Sequence, residues 1–152
     1  TFYNNCSFDL GGGIYIDEKS DPSITNCIFM NNKGDTQGGG IYCSKTSSLT
    51  ITYSDLYNNM PFAGYNDAAG SGGDHTNFNG WGWNGIGCSG DDPTFVNAET
   101  GDLHLQDDSP CIDTGDPAYA GYLLNGSWET QSGSPDTSPV DLGYHYYIYY
   151  AP

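Results

Sequence analysis

The chain has 152 residues, the size of one ordinary domain, and it is rich in Gly, Asn, Ser, Thr and Tyr. Strong helix formers are scarce, so the composition predicts an all-β fold with many turns. Nineteen acidic residues face three lysines and no arginine, and the net charge of -16 argues against nucleic acid or an anionic membrane as partner, because both need a basic face. No apolar run approaches transmembrane length, so membrane insertion is not expected either.

One short motif occurs twice in the first third of the chain. Residues 11–15 read GGGIY, and the same five letters return at residues 38–42, a shift of 27 residues. The same shift carries an Asn pair through three copies, which are Asn4-Asn5, Asn31-Asn32 and Asn58-Asn59. A period between 20 and 50 residues is typical of a solenoid or an array of repeats.

The contents of each copy indicate which kind of solenoid to expect. Short β-branched or aromatic runs, such as residues 13–16 and 23–29, are separated by Gly or Asn turns, and no segment has a helical period. Strands of this length that coil once about every 27 residues predict a parallel β-helix in which each coil is one rung.

The alternation of residues within these strands predicts which side chains face inward. The expected inward positions are Ile14, Ile16, Ile41 and Cys43, with a second column of Phe2, Phe29 and Leu56. Tyr15 and Tyr42 are expected outside. Cys27 and Cys43 are expected as small buried thiols.

The repeated Gly and Asn residues are expected at the corners of the coil. Asn tolerates the left-handed backbone of a sharp turn, and stacked Asn amides can hydrogen-bond along the axis. Glycine admits a close backbone approach between rungs. The structural repeat residues are therefore Gly12, Gly13, Ile14, Asn31, Asn32, Gly39, Gly40, Ile41, Asn58 and Asn59.

These residues also carry a family resemblance. Gly12-Gly13-Ile14 with Phe2-Tyr3-Asn4-Asn5, and their counterparts one repeat later, resemble the GGA(I/L/V) and FxxN pair of the polymorphic outer-membrane β-helix proteins. Gly replaces the Ala of that pattern, and Leu56 replaces Phe in the third copy. The resemblance covers about the first 60 residues. It implies a right-handed parallel β-helix on a secreted or surface protein, and it implies no catalytic residues.

The middle of the chain, residues 60–92, is rich in Gly and Asn and is expected to lose the period. Such a long excursion is either a functional loop or a flexible one. One interpretation is that Trp81, Trp83 and His75 line a sugar-stacking surface. The other is that the tryptophans fill a gap against the side of the β-helix.

The last third is similar to the closing rungs of many large secreted bacterial β-helix proteins. Residues 91–117 contain DPTFV, GDLHL and SPCIDTGDP, and residues 139–147 read PVDLGYHYY, where the family commonly ends in a DxGAYEY-like strand. The likeness implies the C-terminal part of a β-helix. The residues themselves agree, since Phe95, Leu103, Leu105 and Ile112 lie in short apolar pieces between turns. The expected organisation is one domain over residues 1–152, with regular repeats at 1–59, a loop at 60–92 and closing rungs with a tail at 93–152.

The five cysteines show no CxxC pair, which disfavours zinc and thioredoxin-type redox sites. Cys88 and Cys111 are candidates for a disulfide that closes a loop, an arrangement worth about 3 kcal/mol. Cys6 is then the odd thiol. His104 alternates with two leucines and is expected to be the exposed residue of a short strand.

Calcium is the candidate cofactor. Asp91, Asp92, Asp113 and Asp116 stand in turns where carboxylates lie beside flexible carbonyls. The alternative is that these residues are ordinary solvated turn aspartates.

The expected function is that of a non-catalytic extracellular structural or adhesive protein. The three histidines have no spacing typical of a metal site or a nucleophile pair. A polysaccharide lyase typically uses an Arg or Lys as its base, and this chain has no Arg and three scattered Lys. Residues 1–3 correspond to residues 28–30, which lie partway through a repeat, so we expect the first rung to present an open strand edge. That edge predicts either the C-terminal part of a longer surface β-helix or head-to-tail self-assembly into a filament. The alternative is a carbohydrate-binding or polysaccharide-degrading module that uses Trp81 and Trp83.

Overall fold

The structure is a computed structural model that describes residues 1–61, 68–70, 78–79, 82–83, 87, 89–122, 127–128, 139–143 and 146–147. The strands in this part of the chain are β1 Phe2–Tyr3, β2 Cys6–Ser7, β3 Ile14–Ile16, β4 Ser23–Thr25, β5 Ile28–Met30, β6 Lys33–Gly34, β7 Ile41–Cys43, β8 Thr50–Thr52, β9 Asp55–Tyr57, β10 Met60–Pro61, β11 Ala68–Gly70, β12 Phe78–Asn79, β13 Gly82–Trp83, β14 Phe95–Asn97, β15 Asp102–Leu105, β16 Ser127–Trp128 and β17 Tyr146–Tyr147. Two 3-10 helices span Ala98–Thr100 and Pro117–Tyr122. Among the described residues, no helix has the length and apolar character that crossing a bilayer requires.

The first eleven strands form parallel sheets that bring the repeats together. The sheet orders are β1-β5-β9, β2-β6-β10, β3-β7-β11 and β4-β8. Paired residues are one sequence period apart, as in Phe2 with Phe29, Ile14 with Ile41 and Ser23 with Thr50. The parallel strand-rich architecture expected from the repeat is therefore confirmed.

The pairing continues beyond the regular repeats, so the expectation that the period is lost at residue 60 is wrong for two segments. Met60–Pro61 pairs with Lys33–Gly34, and Ala68–Gly70 pairs with Ile41–Cys43 in the same register. Parallel pairing uses backbone N–H and C=O groups. It can therefore persist where Ile41-Tyr42-Cys43 is answered by Ala68-Ala69-Gly70.

The corners between strands use the left-handed backbone that the Asn pairs predict. The first Asn of each pair has a positive φ, 55° at Asn4, 56° at Asn31 and 51° at Asn58. Gly12 serves a different need, since a Cβ there would lie 2.3 Å from the carbonyl oxygen of Gly39. Neighbouring repeats thus approach too closely at this point for any side chain.

One hydrophobic cluster lies on one side of these sheets. Its buried members are Ile16, Phe29, Ile41, Cys43, Leu49, Ile51 and Leu56, and Phe2, Ile14, Ile24 and Cys27 pack against it partly buried. Both predicted inward columns lie in this cluster. Tyr15 and Tyr42 do not belong to this cluster; their rings stack on each other, which leaves Tyr15 50% exposed and Tyr42 9% exposed.

A second cluster covers the opposite face of β5. Ile28 is fully buried there with Phe95, Leu105, Cys111 and Leu142, although its neighbour Phe29 belongs to the first cluster. The closing segment therefore packs onto the outside of the β1-β5-β9 sheet.

The described part of the closing segment does not add parallel rungs. Strands β14 and β15 pair antiparallel with Phe95 opposite Leu105, and β16 pairs antiparallel with β17. The interpretation of this segment as closing rungs is corrected in this respect, because a short turn through Ala98–Thr100 folds β15 straight back along β14.

Candidate functional site

A ladder of asparagine side chains runs along one corner of the repeats. The Nδ2 of Asn5 donates to the Oδ1 of Asn32 at 2.8 Å, and the Nδ2 of Asn32 donates to the Oδ1 of Asn59 at 2.8 Å. The backbone N–H groups of Asn5 and Asn32 donate to the same oxygens at 3.0 Å. Each Oδ1 therefore accepts two hydrogen bonds from the preceding repeat.

The ladder is open at its first member. Asn5 is exposed, whereas Asn32 is fully buried and Asn59 is 4% exposed. No described residue donates to the Oδ1 of Asn5, the position that is filled twice in each later member. The first repeat thus presents an acceptor aligned with the ladder.

Aromatic rings at equivalent positions of neighbouring repeats also stack on one another. Phe2 stacks on Phe29 with ring centroids 4.6 Å apart, and Tyr15 stacks on Tyr42 at 5.4 Å. The hydroxyl of Tyr15 also donates to Asp17 at 2.9 Å. This hydrogen bond raises the pKa of Tyr15, while the pKa of Asp17 is lowered first by the backbone N–H of Glu18.

The head edge is the outer side of β1, β2, β3 and β4, which are the end strands of the four parallel sheets on the side of the first repeat. Among the described residues each of these strands pairs on one side, and such strand edges are of the kind that another β-strand can extend. Its hydroxyl groups also follow the repeat, since the Oγ1 atoms of Thr25 and Thr52 lie 3.0 Å apart in a hydrogen bond. The edge therefore carries periodic side chains as well as backbone groups.

A polar junction holds the closing segment against Asn26. The Oδ1 of Asn26 accepts the N–H of Asp116 at 2.8 Å, and its carbonyl oxygen accepts the N–H of Gly143 at 3.0 Å. The buried carboxylate of Asp141 accepts the N–H of Asp113 at 2.6 Å. The backbone N–H groups of Asp116 and Gly143 thus dock the segment onto Asn26, and the carboxylate of Asp141 joins two parts of the segment itself.

Cys111 lies inside this junction as a free, buried thiol. Burial raises its pKa, and the negative charge of Asp55 raises it further. A free Cys111 disagrees with the predicted disulfide to Cys88, which itself lies outside the described residues. The physical reason is that Cys111 packs with Ile28 and Leu142 as a small apolar group.

Two of the four candidate calcium ligands accept hydrogen bonds in local turns. Asp92 accepts the N–H of Thr94 at 3.0 Å, and Asp116 accepts the N–H of Ala118 at 2.9 Å. Within the described residues, no group of three or more His, Cys, Asp or Glu side chains forms a metal site. Asp91, Asp92, Asp113 and Asp116 are therefore not assembled into one such site, and calcium binding stays a prediction.

The candidate sugar-binding residues fall where the structure gives no side-chain description. Trp81 and His75 lie outside the described residues, and Trp83 belongs to β13. Carbohydrate binding through Trp81 and Trp83 accordingly stays a prediction.

Sequence reasoning missed two buried carboxylates and misplaced one histidine. Asp55 and Asp141 are almost fully buried, and Ser89 donates to Asp55 at 2.8 Å. The burial of Asp55 could have been predicted from the repeat, because Asp55 stands 27 residues after the apolar Ile28 and pairs with it. His104 is partly buried rather than exposed, and its Nδ1 is hydrogen-bonded to Asp102, whose pKa is lowered by this contact.

Comparison with known proteins agrees with this geometry. The family model for the right handed beta helix region matches residues 1–97, more than half of the chain. The chain belongs to the right-handed β-helix family. The matched residues contain every parallel sheet found in the described part of the chain, so membership rests on the part that carries the ladder and the head edge. The search of curated proteins and the search of solved structures each found no match.

Proposed function

We propose that this right-handed β-helix is a non-catalytic structural module of the extracellular surface, built from rungs of 27 residues. The observation that carries the proposal is the Asn5–Asn32–Asn59 ladder, in which each bond joins residues 27 positions apart. A repeat whose buried Asn side chains hydrogen-bond to the equivalent Asn of the next repeat is arranged for stacking rather than for contact with a substrate.

The proposed location and role draw on the resemblance to polymorphic outer-membrane repeats. Such repeats are scaffold patterns of secreted or surface proteins, and the strong negative charge suits a solvated surface protein. The partners we propose are further rungs of the same repeat or other copies of the chain, with surface glycans as the adhesive target and no nucleic acid.

The test adds one extra repeat, which a stack of equivalent rungs should accept. A second copy of residues 28–54 inserted after Cys27 keeps every later residue in register, whereas a 24-residue insertion made from the same segment shifts it. Because the parallel sheets pair each repeat with the next, and the copy again supplies Ile28 after Asn26 for the closing segment, the full insertion is expected to fold with a melting temperature close to that of the parent.

The shorter insertion is the matched control, because it has nearly the same composition. It places each residue from Ile28 onward about 24 rather than 27 positions after its inserted copy, so the Asn ladder and the ring stacking are broken between the inserted and the original repeat, and we expect it to lower the melting temperature by about 10 °C or more, or to prevent folding. Equal destabilisation by both insertions would overturn the proposed rung, and hydrolysis of a polysaccharide by the purified parent would overturn the non-catalytic role.

A further inference from the structure

The closing segment contains a β-branched residue in a strained backbone conformation. Thr94 has a φ of 46°, in the left-handed region, which a β-branched residue rarely adopts because its Cβ crowds the following carbonyl oxygen. Contacts on both sides hold it there, since its N–H donates to the Oδ1 of Asp92 at 3.0 Å and its carbonyl oxygen accepts the N–H of Gln106 at 3.0 Å. Strain of this kind persists only where surrounding contacts fix it, and it clusters at functional sites.

The carbonyl group just before Thr94 is polarised by a buried hydroxyl. The carbonyl oxygen of Pro93 accepts a hydrogen bond from the Oγ of Ser109 at 2.7 Å, and the N–H of Cys111 donates to that same Oγ at 3.2 Å. Pro93 is fully buried and Ser109 is 6% exposed, so water is kept from this contact. A donor held in this way stabilises the negative charge that develops on a carbonyl oxygen under nucleophilic attack.

The hydroxyl of Thr94 is a nucleophile with no structural task. Its Oγ1 is buried and makes no hydrogen bond within the described part of the chain, although buried hydroxyl groups normally have a partner. It belongs to the residue whose nitrogen is joined to the Pro93 carbonyl carbon. Attack on that carbon therefore closes a small ring through the Cβ, Cα and N of Thr94. Such intramolecular placement removes much of the entropy cost of bringing a nucleophile to a carbonyl.

We propose that the Pro93–Thr94 peptide bond is a self-cleavage site, at which the Thr94 hydroxyl attacks the Pro93 carbonyl in an N-to-O acyl shift. The Oγ1–C bond forms, the C–N bond breaks, and the hydroxyl proton goes to the nitrogen, which becomes the α-amine of Thr94. The Ser109 hydroxyl stabilises the oxyanion, and the carboxylate of Asp92 lies against the leaving nitrogen and stabilises its ammonium form. Breaking the C–N bond also releases the backbone strain at Thr94, so this strain favours the shift.

Water completes the reaction by hydrolysing the ester. Its oxygen bonds to the Pro93 carbonyl carbon, the C–Oγ1 bond breaks, and a proton returns to the Thr94 hydroxyl, which leaves a carboxyl group at Pro93 and a free α-amine at Thr94. The two products stay together in the folded protein, because Phe95, Leu105 and Cys111 remain packed with Ile28. This single self-cleavage goes beyond the structural role proposed above, and it turns over no external substrate.

The test follows the folded full chain over time by mass spectrometry after denaturation. A fragment that begins at Thr94 is expected, and hydroxylamine, which attacks the ester, should raise its yield and leave a hydroxamate on Pro93. Thr94→Ala should abolish this fragment, whereas Thr94→Ser keeps the hydroxyl and should still form it. Ser109→Ala should slow its formation about 100-fold. Thr100→Ala is the matched control, because it removes an exposed hydroxyl that donates to the carbonyl of Asn97, and it should cleave at the parent's rate.

Circular dichroism establishes that each variant is folded, so that a lost fragment reports on the chemistry. The proposal is overturned if the folded parent gives no fragment that begins at Thr94, with or without hydroxylamine. It is also overturned if Thr94→Ala forms the fragment at the parent's rate, which marks a contaminating protease, or if the fragment begins at Pro93, which marks hydrolysis after Asp92. If Thr94→Ala does not fold, the hydroxamate on the parent decides, since a protease leaves none. All of these outcomes are independent of the insertion test.

Discussion

Asn32 donates its side-chain Nδ2 to the Oδ1 of Asn59 at 2.8 Å, with both residues buried in the corner of the parallel sheets. The same Nδ2 also donates to the carbonyl oxygen of Phe2 at 2.9 Å. One amide thus joins three consecutive repeats, through a backbone carbonyl on one side and a side-chain oxygen on the other.

We predict that Asn32→Ala destabilises the chain by about 3 kcal/mol, because its removal takes a hydrogen bond from the buried Asn59 and from the half-buried carbonyl of Phe2. Asn5→Ala is the matched control, since it removes an exposed member of the same ladder and should cost under about 1 kcal/mol. Urea denaturation followed by circular dichroism measures both. Equal losses for the two variants would show that the buried ladder is not what stabilises the corner.

The glycines of the motif provide a second prediction. A Cβ at Gly12 would lie 2.3 Å from the carbonyl oxygen of Gly39, which is a backbone atom that cannot move aside cheaply. We expect Gly12→Ala to cost more than about 3 kcal/mol and to lower the yield of folded protein. Gly101→Ala provides the comparison, because Gly101 has φ 85° but no atom within 4 Å of the added Cβ. The Gly101→Ala variant should lose about 1 kcal/mol of stability from backbone strain alone. A larger loss of stability in Gly101→Ala than in Gly12→Ala would refute the close backbone approach at Gly12.

The docking of the closing segment can be tested at Ile28. This side chain is fully buried between β5 and the closing segment, on the face away from Phe29. Ile28→Ala should destabilise the chain by about 2–4 kcal/mol and speed proteolysis within residues 91–117. Phe8→Ala, at a side chain that is 93% exposed, should change stability by under about 0.5 kcal/mol. An unchanged rate of proteolysis in the Ile28→Ala variant would show that the closing segment does not depend on packing against this face.

The thiols make a prediction about pH. Burial raises the pKa of Cys111, so the folded state holds its proton at pH values where the unfolded chain loses it. The stabilisation is complete below the unfolded pKa near 8.5 and is lost as the pH rises above it, with a slope of about 1.4 kcal/mol per pH unit for this one thiol.

Denaturation between pH 8 and pH 10 measures that slope, and Cys111→Ala should make it shallower. Among the described cysteines, Cys6 alone is exposed, so it should react first with a thiol reagent in the native protein. Rapid native labelling of Cys111 would contradict its position in the junction.

The sequence predicted the repeat because the same residues solve the same local problem in each copy. An Asn that must adopt positive φ, as at Asn4 and Asn31, and a Phe that must fill the interior both leave a mark that self-comparison detects. The continuation at Ala68–Gly70 left no such mark, because its pairing with Ile41–Cys43 is made by backbone groups and needs no particular side chain.

The closing segment was harder to predict for a different reason. Its motifs could be matched in order, but the face it covers is set by contacts distant in sequence, such as Asn26 with Asp116. One local signal was available, since Ile28, Phe29 and Met30 are apolar in succession. A strand that is apolar on both faces indicates burial on both faces.

The central claim is that rungs of 27 residues stack along one axis, and its most direct test is the length of the molecule. Variants with one, two and three extra copies of residues 28–54 inserted after Cys27 can be measured by small-angle X-ray scattering. Stacked rungs predict that the longest dimension grows by about 4.8 Å for each copy while the cross-section stays constant. A cross-section that widens with each copy, or profiles of an unfolded insert, would contradict the account.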